Sequence, residues 1–396
     1  MLFILFLIVV IDLIGFGIII PLLPFYGQYY GASPDQVGML MAVYSLFQFI
    51  SAPIMGRLSD RHGRRPVLLL SLAGATVAYV MLGFADSLWM LFIARAFGGL
   101  MAGNIATAFA YAADITTVEN RAKGMGVVGA AFGVGFVLGP AIGGILAGAD
   151  PMNADYQTPA LVAAGMSGLA LILAIIRLPE SLPPEKRSQA ATATGKSRFG
   201  RLADSLNRPE LRPLLISLFL STLVFAGMEA VFALWSERQL GWGPLQNGYF
   251  FALTGIVSAA VQGGLIGRLS KRFGERKLFI FGAGALGAGL LLFPLATAPL
   301  GLLPAAILMT LGFSLLNPAL NSLISRAVGD HEQGAIMGTA RAMSTLARVF
   351  GPLCGGALFA AAGRQWPFLV GGIVMLLVAV MAFRRLGRPA VADEAS

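Results

Sequence analysis

Asp12, Arg95, Glu229, Arg341 and Arg348 each interrupt a long apolar stretch of the chain. An ionised side chain in the middle of a bilayer costs at least about 2.5 kcal/mol on insertion scales, so five such residues need a chemical reason. Burial drives a carboxyl toward its protonated form, and a nearby guanidinium drives it back. A site that alternates between those influences takes up and releases a proton, which makes Asp12, Arg95 and Glu229 the proton-coupling candidates. Glu229 lies sixteen residues beyond Pro213, about 24 Å along a helix, and Arg348 lies fourteen beyond Gly334, about 21 Å. At matching depth the two either pair statically, or Glu229 faces a cavity and takes a cationic molecule or a second proton.

The elements that must hold these residues follow from composition. Of 396 residues, 57% are hydrophobic and 12% charged, about half the charged fraction of roughly 25% usual in a soluble domain. That balance excludes a soluble globular enzyme, and no nucleophile, metal-ligand cluster or paired-carboxylate site is visible. A helix needs about 20 residues to cross about 30 Å of hydrocarbon. Twelve runs meet that length, six between Leu2 and Ile176 and six between Leu214 and Phe383. They read as helices, because unpaired backbone in hydrocarbon is prohibitive and no barrel-like alternation is present. The first run lacks a basic leader and a small-residue cleavage site and contains Asp12, so it reads as a span and not a signal peptide.

Counted by connection, 23 of the 28 Lys and Arg fall on one side. This predicts a multi-pass protein of the inner (cytoplasmic) membrane with both termini in the cytoplasm. The net charge of +9 therefore points to a membrane and not to nucleic acid. Cys354 has no partner for a disulfide.

Residues 179–211 have the composition of a cytoplasmic linker, with Phe199, Leu202, Leu206 and Leu211 spaced for an amphipathic helix at the surface. They divide a first six-span unit, 1–178, from a second, 212–396. The halves repeat. Gly56-Arg-Leu-Ser-Asp-Arg-His-Gly-Arg-Arg65 returns as Gly267-Arg-Leu-Ser-Lys-Arg-Phe-Gly-Glu-Arg276, and Gly139-Pro-Ala-Ile-Gly-Gly144 returns as Gly351-Pro-Leu-Cys-Gly-Gly356, at offsets of 211 and 212. Two separate matches at nearly one offset describe parallel repeats, as in a secondary transporter. The expected fold is an all-α membrane protein with twelve transmembrane helices in two pseudo-symmetric six-helix bundles.

On these residues the chain resembles the major facilitator superfamily, and within it the twelve-helix drug:proton antiporters near the tetracycline-efflux subgroup. Gly56 to Arg65 is similar to the signature between the second and third helices. Gly135-Phe-Val-Leu-Gly139-Pro140-Ala-Ile-Gly143-Gly144 is similar to the antiporter signature of the fifth. Asp12-Leu-Ile-Gly-Phe-Gly17 and Ile93-Ala-Arg95-Ala-Phe-Gly98-Gly99 resemble the signatures of the first and fourth. The resemblance implies two bundles rocking about a central cavity lined by the first and fourth helices, where Asp12 and Arg95 could pair.

It also implies a cytoplasmic gate. Gly56, Asp60, Arg61, Gly63, Arg64 and Arg65 either anchor the loop to the membrane or form a latch. In the latch, Asp60 meets the positive N-terminal end of the eleventh helix and a cation such as Arg341, with Asp114 joining from the fourth helix. The second copy carries Lys271 in place of Asp60, so the latch should be asymmetric. Gly135, Gly139 and Gly143 repeat at i, i+4, and with Pro140 and Gly144 they should pack closely against the other bundle and suppress leak. Substrate-binding candidates are Glu229, Asn104, Phe232, Trp235, Asn317 and Arg348; Phe16, Phe109 and Tyr249 could also line the cavity.

Tetracycline pumps carry further embedded acids in the third and ninth helices. Here there is only Asp86, at the edge of the third run. No GxxxxGK[ST] loop is present, so no nucleotide or other cofactor is expected and a proton gradient should supply the energy. His62 and His331 sit in separate loops, so no metal site is expected. The expected function is proton-coupled antiport exporting amphiphilic small molecules or drugs. The alternatives are a lipid or glycolipid translocator, a proton-coupled nutrient symporter, and a non-transporting sensor. Expected partners are the amphiphilic substrate, protons and membrane lipids, with no nucleic acid, and the chain is expected to act as a monomer.

Overall fold

The structure, a computed structural model, describes residues 1–117, 120–183 and 198–386, and all regular structure among them is helical. Among the described residues twelve helices are long and apolar enough to cross a membrane. They are α1 (Leu2–Tyr29), α2 (Pro34–His62), α3 (Arg64–Gly83), α4 (Leu88–Asp114), α5 (Arg121–Ala147), α6 (Gln157–Arg177), α7 (Arg212–Leu240), α8 (Pro244–Phe273), α9 (Glu275–Leu295), α10 (Pro299–Arg326), α11 (Asp330–Ala362) and α12 (Trp366–Leu386). Several run past the apolar stretches that mark them in the sequence, because their polar end turns remain helical outside the hydrocarbon.

Two helices are interrupted. The first breaks at Ile20–Leu22, where Pro21 removes a backbone donor, and α4 breaks at Ala102 and Gly103. A π-helical turn at Val261–Leu265 widens α8. A short helix, Arg198–Leu206, precedes α7. Leu206 packs on the second bundle and Leu211 is buried in it. Arg208 grips Glu332 of α11 through two hydrogen bonds of 2.7 and 2.8 Å, and the Glu332 carboxylate beside it keeps the guanidinium firmly protonated. Between α5 and α6, the Thr158 hydroxyl and N–H both donate to Asp155, holding its carboxyl below the usual carboxylate range.

The helices pack by the repeat. In the first half α1 lies on α5 and α6, α3 lies on α6, and α2 lies on α4; in the second, α7 lies on α11 and α12, α9 on α12, and α8 on α10. One core is built from Leu5 to Leu178 with Ala233 added, the other from Leu211 to Ala382 with Ala32 and Val37 added. Each half also repeats one backbone-to-backbone seam. A Cβ on Gly139 would lie 2.6 Å from Gly17 Cα, and one on Gly355 would lie 2.6 Å from the Gly227 carbonyl oxygen. Contacts this close need bare backbone on both sides.

Between the halves, α5 packs on α8 and α2 packs on α11. These seams are tight from the end away from the termini to about mid-span. There Gly144 meets Gly248, Gly38 meets Gly356, and Leu245 N–H donates to the Gly148 carbonyl at 3.0 Å. At the other end, Gly126 and Gly129 of α5, Gly263, Gly264 and Gly267 of α8, and Gly334 and Gly338 of α11 all face open space. The halves are thus closed at the end opposite the termini and parted at the end that carries loop 2–3.

Candidate functional site

Asp12 is 6% exposed and Arg95 5% exposed, both inside the first bundle. Ser167 of α6 donates to the Asp12 carboxylate at 3.0 Å and also reaches the Leu72 carbonyl at 3.3 Å. The Arg95 guanidinium lies 4.3 Å over the Tyr44 ring of α2, a cation held on an aromatic face. Asp12, Arg95, Tyr44, Tyr79 and Ser71 together line a cavity of about 30 Å³, enough for a water and too small for an organic substrate. Arg95 Nε and Ser71 Oγ are buried there without a hydrogen-bond partner. The break in α4 is local to this place, since Met101, Ala102 and Ile105 complete the lining. Four helices of one bundle therefore converge on a water-sized pocket that sets Asp12 and Arg95 in a largely apolar lining. Tyr44, Tyr79, Ser71 and Ser167 carry no ionised group to flag them in sequence, and only packing reveals them.

In the second half, Glu229 of α7 and Arg348 of α11 approach to 3.8 Å, with side-chain exposures of 13% and 46%. Their equal depth is realised as a pair. Arg341, two turns earlier on α11, lies 5.1 Å over the Phe109 ring of α4 in the other half. From Phe109 the rings continue along the first bundle: Phe132 at 6.4 Å, Phe136 a further 6.3 Å on, then Phe16 at 6.3 Å and Tyr44 at 5.6 Å. Phe16 and Phe109 thus belong to an aromatic wall that Phe132 and Phe136 extend.

Phe232 and Trp235 require correction as substrate residues. Both are fully buried in the core of the second bundle, where Phe232 stacks on Phe250 at 4.1 Å and the Trp235 indole N–H donates to Gln365 at 2.9 Å. Asn317 is tied along α10, accepting from Asn321 Nδ2 at 3.0 Å through its carbonyl oxygen. The Asn104 side chain lies outside the described residues. Tyr249 is 54% exposed.

The latch differs from expectation. Asp60 bonds to Arg64 one turn on, and Arg64 Nε donates to Asp114 at 3.0 Å. Arg65 reaches the Ile175 carbonyl at 2.8 Å, while Arg61 is exposed and Gly56 open. Gly63, at φ +108°, makes the turn between α2 and α3 that side-chain-bearing residues resist. Glu180, unnoticed in the sequence, accepts the N–H groups of Arg64 at 2.8 Å and Arg65 at 3.1 Å, a carboxylate at a helix start where the dipole favours it. Asp114 joins this network, but Asp60 and Arg341 have separate partners, Arg64 and the Phe109 ring. The fifth-helix glycines also divide their work. Gly135, Gly139 and Gly143 face α1 of their own bundle, and only Gly144, with the Pro140 carbonyl, meets Gly248 across the interface. One helical stripe cannot face both neighbours, and Gly144 lies about 100° round from Gly143.

Two like-built six-helix halves, sealed at one end and open at the other, with an embedded acid beside a water-sized pocket, define a secondary carrier of the alternating-access type. The chain belongs to the Major Facilitator Superfamily, whose sequence profile matches residues 5–266 and 260–396. It is 35% identical to the class C tetracycline resistance protein of Escherichia coli over 95% of this chain and 94% of the relative. It is 31% identical to multidrug resistance protein 2 of Bacillus subtilis (strain 168) over 92% and 90% of the two chains. The solved human organic anion transporter MFSD10 (TETRAN) is similar at 26% identity and a TM-score of 0.73, covering 96% of this chain and 98% of that one.

Proposed function

We propose that this protein exports amphiphilic small molecules in exchange for protons across the cytoplasmic membrane, with both termini and loop 2–3 in the cytoplasm. The observation that carries the reading is Asp12, sunk in the first bundle on a helix that also forms the tight seam with α5. Gly15 and Gly17 of α1 lie against Ala163 of α6 and Gly135 of α5, so α1 has little freedom to shift without moving both neighbours. Loading a proton on Asp12 removes the negative charge that Ser167 supports and that balances Arg95 in the shared pocket. The packing of α1 then changes, and α5 passes that change to α8 through Gly144 and Gly248. No cofactor takes part; the proton gradient supplies the energy.

The relatives named for tetracycline and multidrug resistance support cargo of the drug class, and favour export over lipid movement or nutrient uptake. Reconstituted in proteoliposomes, Asp12→Asn should abolish drug-driven proton movement while the protein still folds and binds drug. Undiminished antiport in that variant would remove Asp12 from the mechanism.

A further inference from the structure

The two sides of the space between the parted halves have opposite character. The wall from the first half is aromatic, formed by Phe109, Phe132 and Phe136 with rings within 20° of parallel along the row. The facing wall is α11. This helix turns Gly351 and Gly355 to α7, and Pro352 and Gly356 to α2. At about 100° per residue, Arg341 and Arg348 fall between those two directions, pointing to the space between the halves and away from lipid. The reach of Arg341 to Phe109 across the halves confirms that direction.

The charges on this stripe do not balance. Arg348 meets Glu229, but Arg341 meets no carboxylate within ion-pair distance among the described residues. Its guanidinium keeps five donors, in a planar fork that suits carboxylate and sulfonate groups. Arg341 is exposed to the space between the halves, where a charged residue on a spanning helix marks a route for a ligand of opposite charge.

We propose that the cargo is an amphiphile carrying an anionic group, with that group on Arg341 and its flat apolar body along Phe109, Phe132 and Phe136. Glu229 is then the partner of Arg348, and it holds no cationic drug. The inference deepens the exporter reading and rests on it for direction, but binding itself needs no proton coupling.

Three probes of one size and different charge test it: pyrenebutyrate, pyrenebutanol and pyrenebutylammonium, titrated onto the full-length protein in detergent with pyrene fluorescence as the readout. Pyrenebutyrate should bind about tenfold or more tightly than the other two, as expected for a charge-assisted hydrogen bond. R341Q should bring the three probes within about twofold of one another, and R341K should keep most of the preference. Equal affinities in the unaltered protein, or a preference that survives in R341Q, overturns the proposal. If R341Q fails to fold, competition against pyrenebutyrate on the unaltered protein decides: naphthalenesulfonate should displace it and naphthylmethyl-trimethylammonium should not, and equal displacement overturns the site. Asp12→Asn should keep the anion preference while losing coupled exchange. A result in which exchange persists there and the preference holds would remove Asp12 from the mechanism and leave this site standing.

Discussion

Phe232 and Phe109 are the same residue type, yet one is enclosed by Phe250, Phe293 and Trp235 while the other offers its ring to Arg341. The difference is helix rotation, which composition does not record. Phe232→Ala should therefore cost about 3–5 kcal/mol of stability, the usual cost of emptying an aromatic site in a core. It should show as a lowered Tm in detergent, with substrate affinity unchanged. Phe109→Ala should do the reverse, weakening substrate binding with little change in Tm; a large loss of stability there would put Phe109 in a core. The embedded ions were legible in the sequence, because a charge in an apolar run stands out on any hydropathy reading. Their companions were not. Tyr44, Tyr79 and Ser167 are tolerated almost anywhere in a membrane helix, and they acquire a role only from being brought beside Asp12 and Arg95.

Among the helices, the glycine seams set what can be changed. A Cβ at Gly139 strikes Gly17 backbone that cannot swing away, so Gly139→Ala should cost about 1–3 kcal/mol by overpacking and depress transport. Gly126→Ala, on the same helix but facing open space, should be neutral or stabilising by about 0.5–1 kcal/mol. Thermal unfolding of both variants checks the contrast, and equal effects would mean that α5 packs on some other face. A second pattern crosses the repeat. Arg64 and Asp114 bridge the start of α3 to the end of α4, and at the equivalent places Glu275 and Arg326 bridge α9 to α10 at 2.8 Å with the charges exchanged. Position, not polarity, is what the repeat preserves. Arg64→Glu and Asp114→Arg should each destabilise the first half, and the double variant should recover part of the loss. The coupling should be roughly 1 kcal/mol, given partial exposure, with Asp60 and Glu180 opposing full recovery. A double-mutant cycle on unfolding midpoints measures it.

For the molecule as a whole, the state described here is parted at the end with the termini and sealed at the other. In a Cys354→Ala background, Gly338→Cys should react quickly with a water-soluble thiol reagent and Ala147→Cys, at a 3% exposed position of the sealed end, should not. The order should reverse when the carrier turns outward, and equal rates at both sites would contradict a single sealed end. At the parted end Asp60 and Arg341 have separate partners, Arg64 and the Phe109 ring.

The amino-acid sequence by itself determined the number of spans, their helical nature, the duplication into two halves and the presence of buried charge. Each of these is a linear property, fixed by run length, by the need to satisfy backbone in hydrocarbon and by residues recurring at one offset. It also carried the depth match of Glu229 and Arg348, because rise along a helix is constant. Only the tertiary structure decided which way each helix is rotated, and with it which aromatic residues line a wall, which glycines meet a partner of the same bundle, and which arginine is left for a ligand. Rotation is set by side chains meeting across helices distant in the chain, and no single helix contains that information.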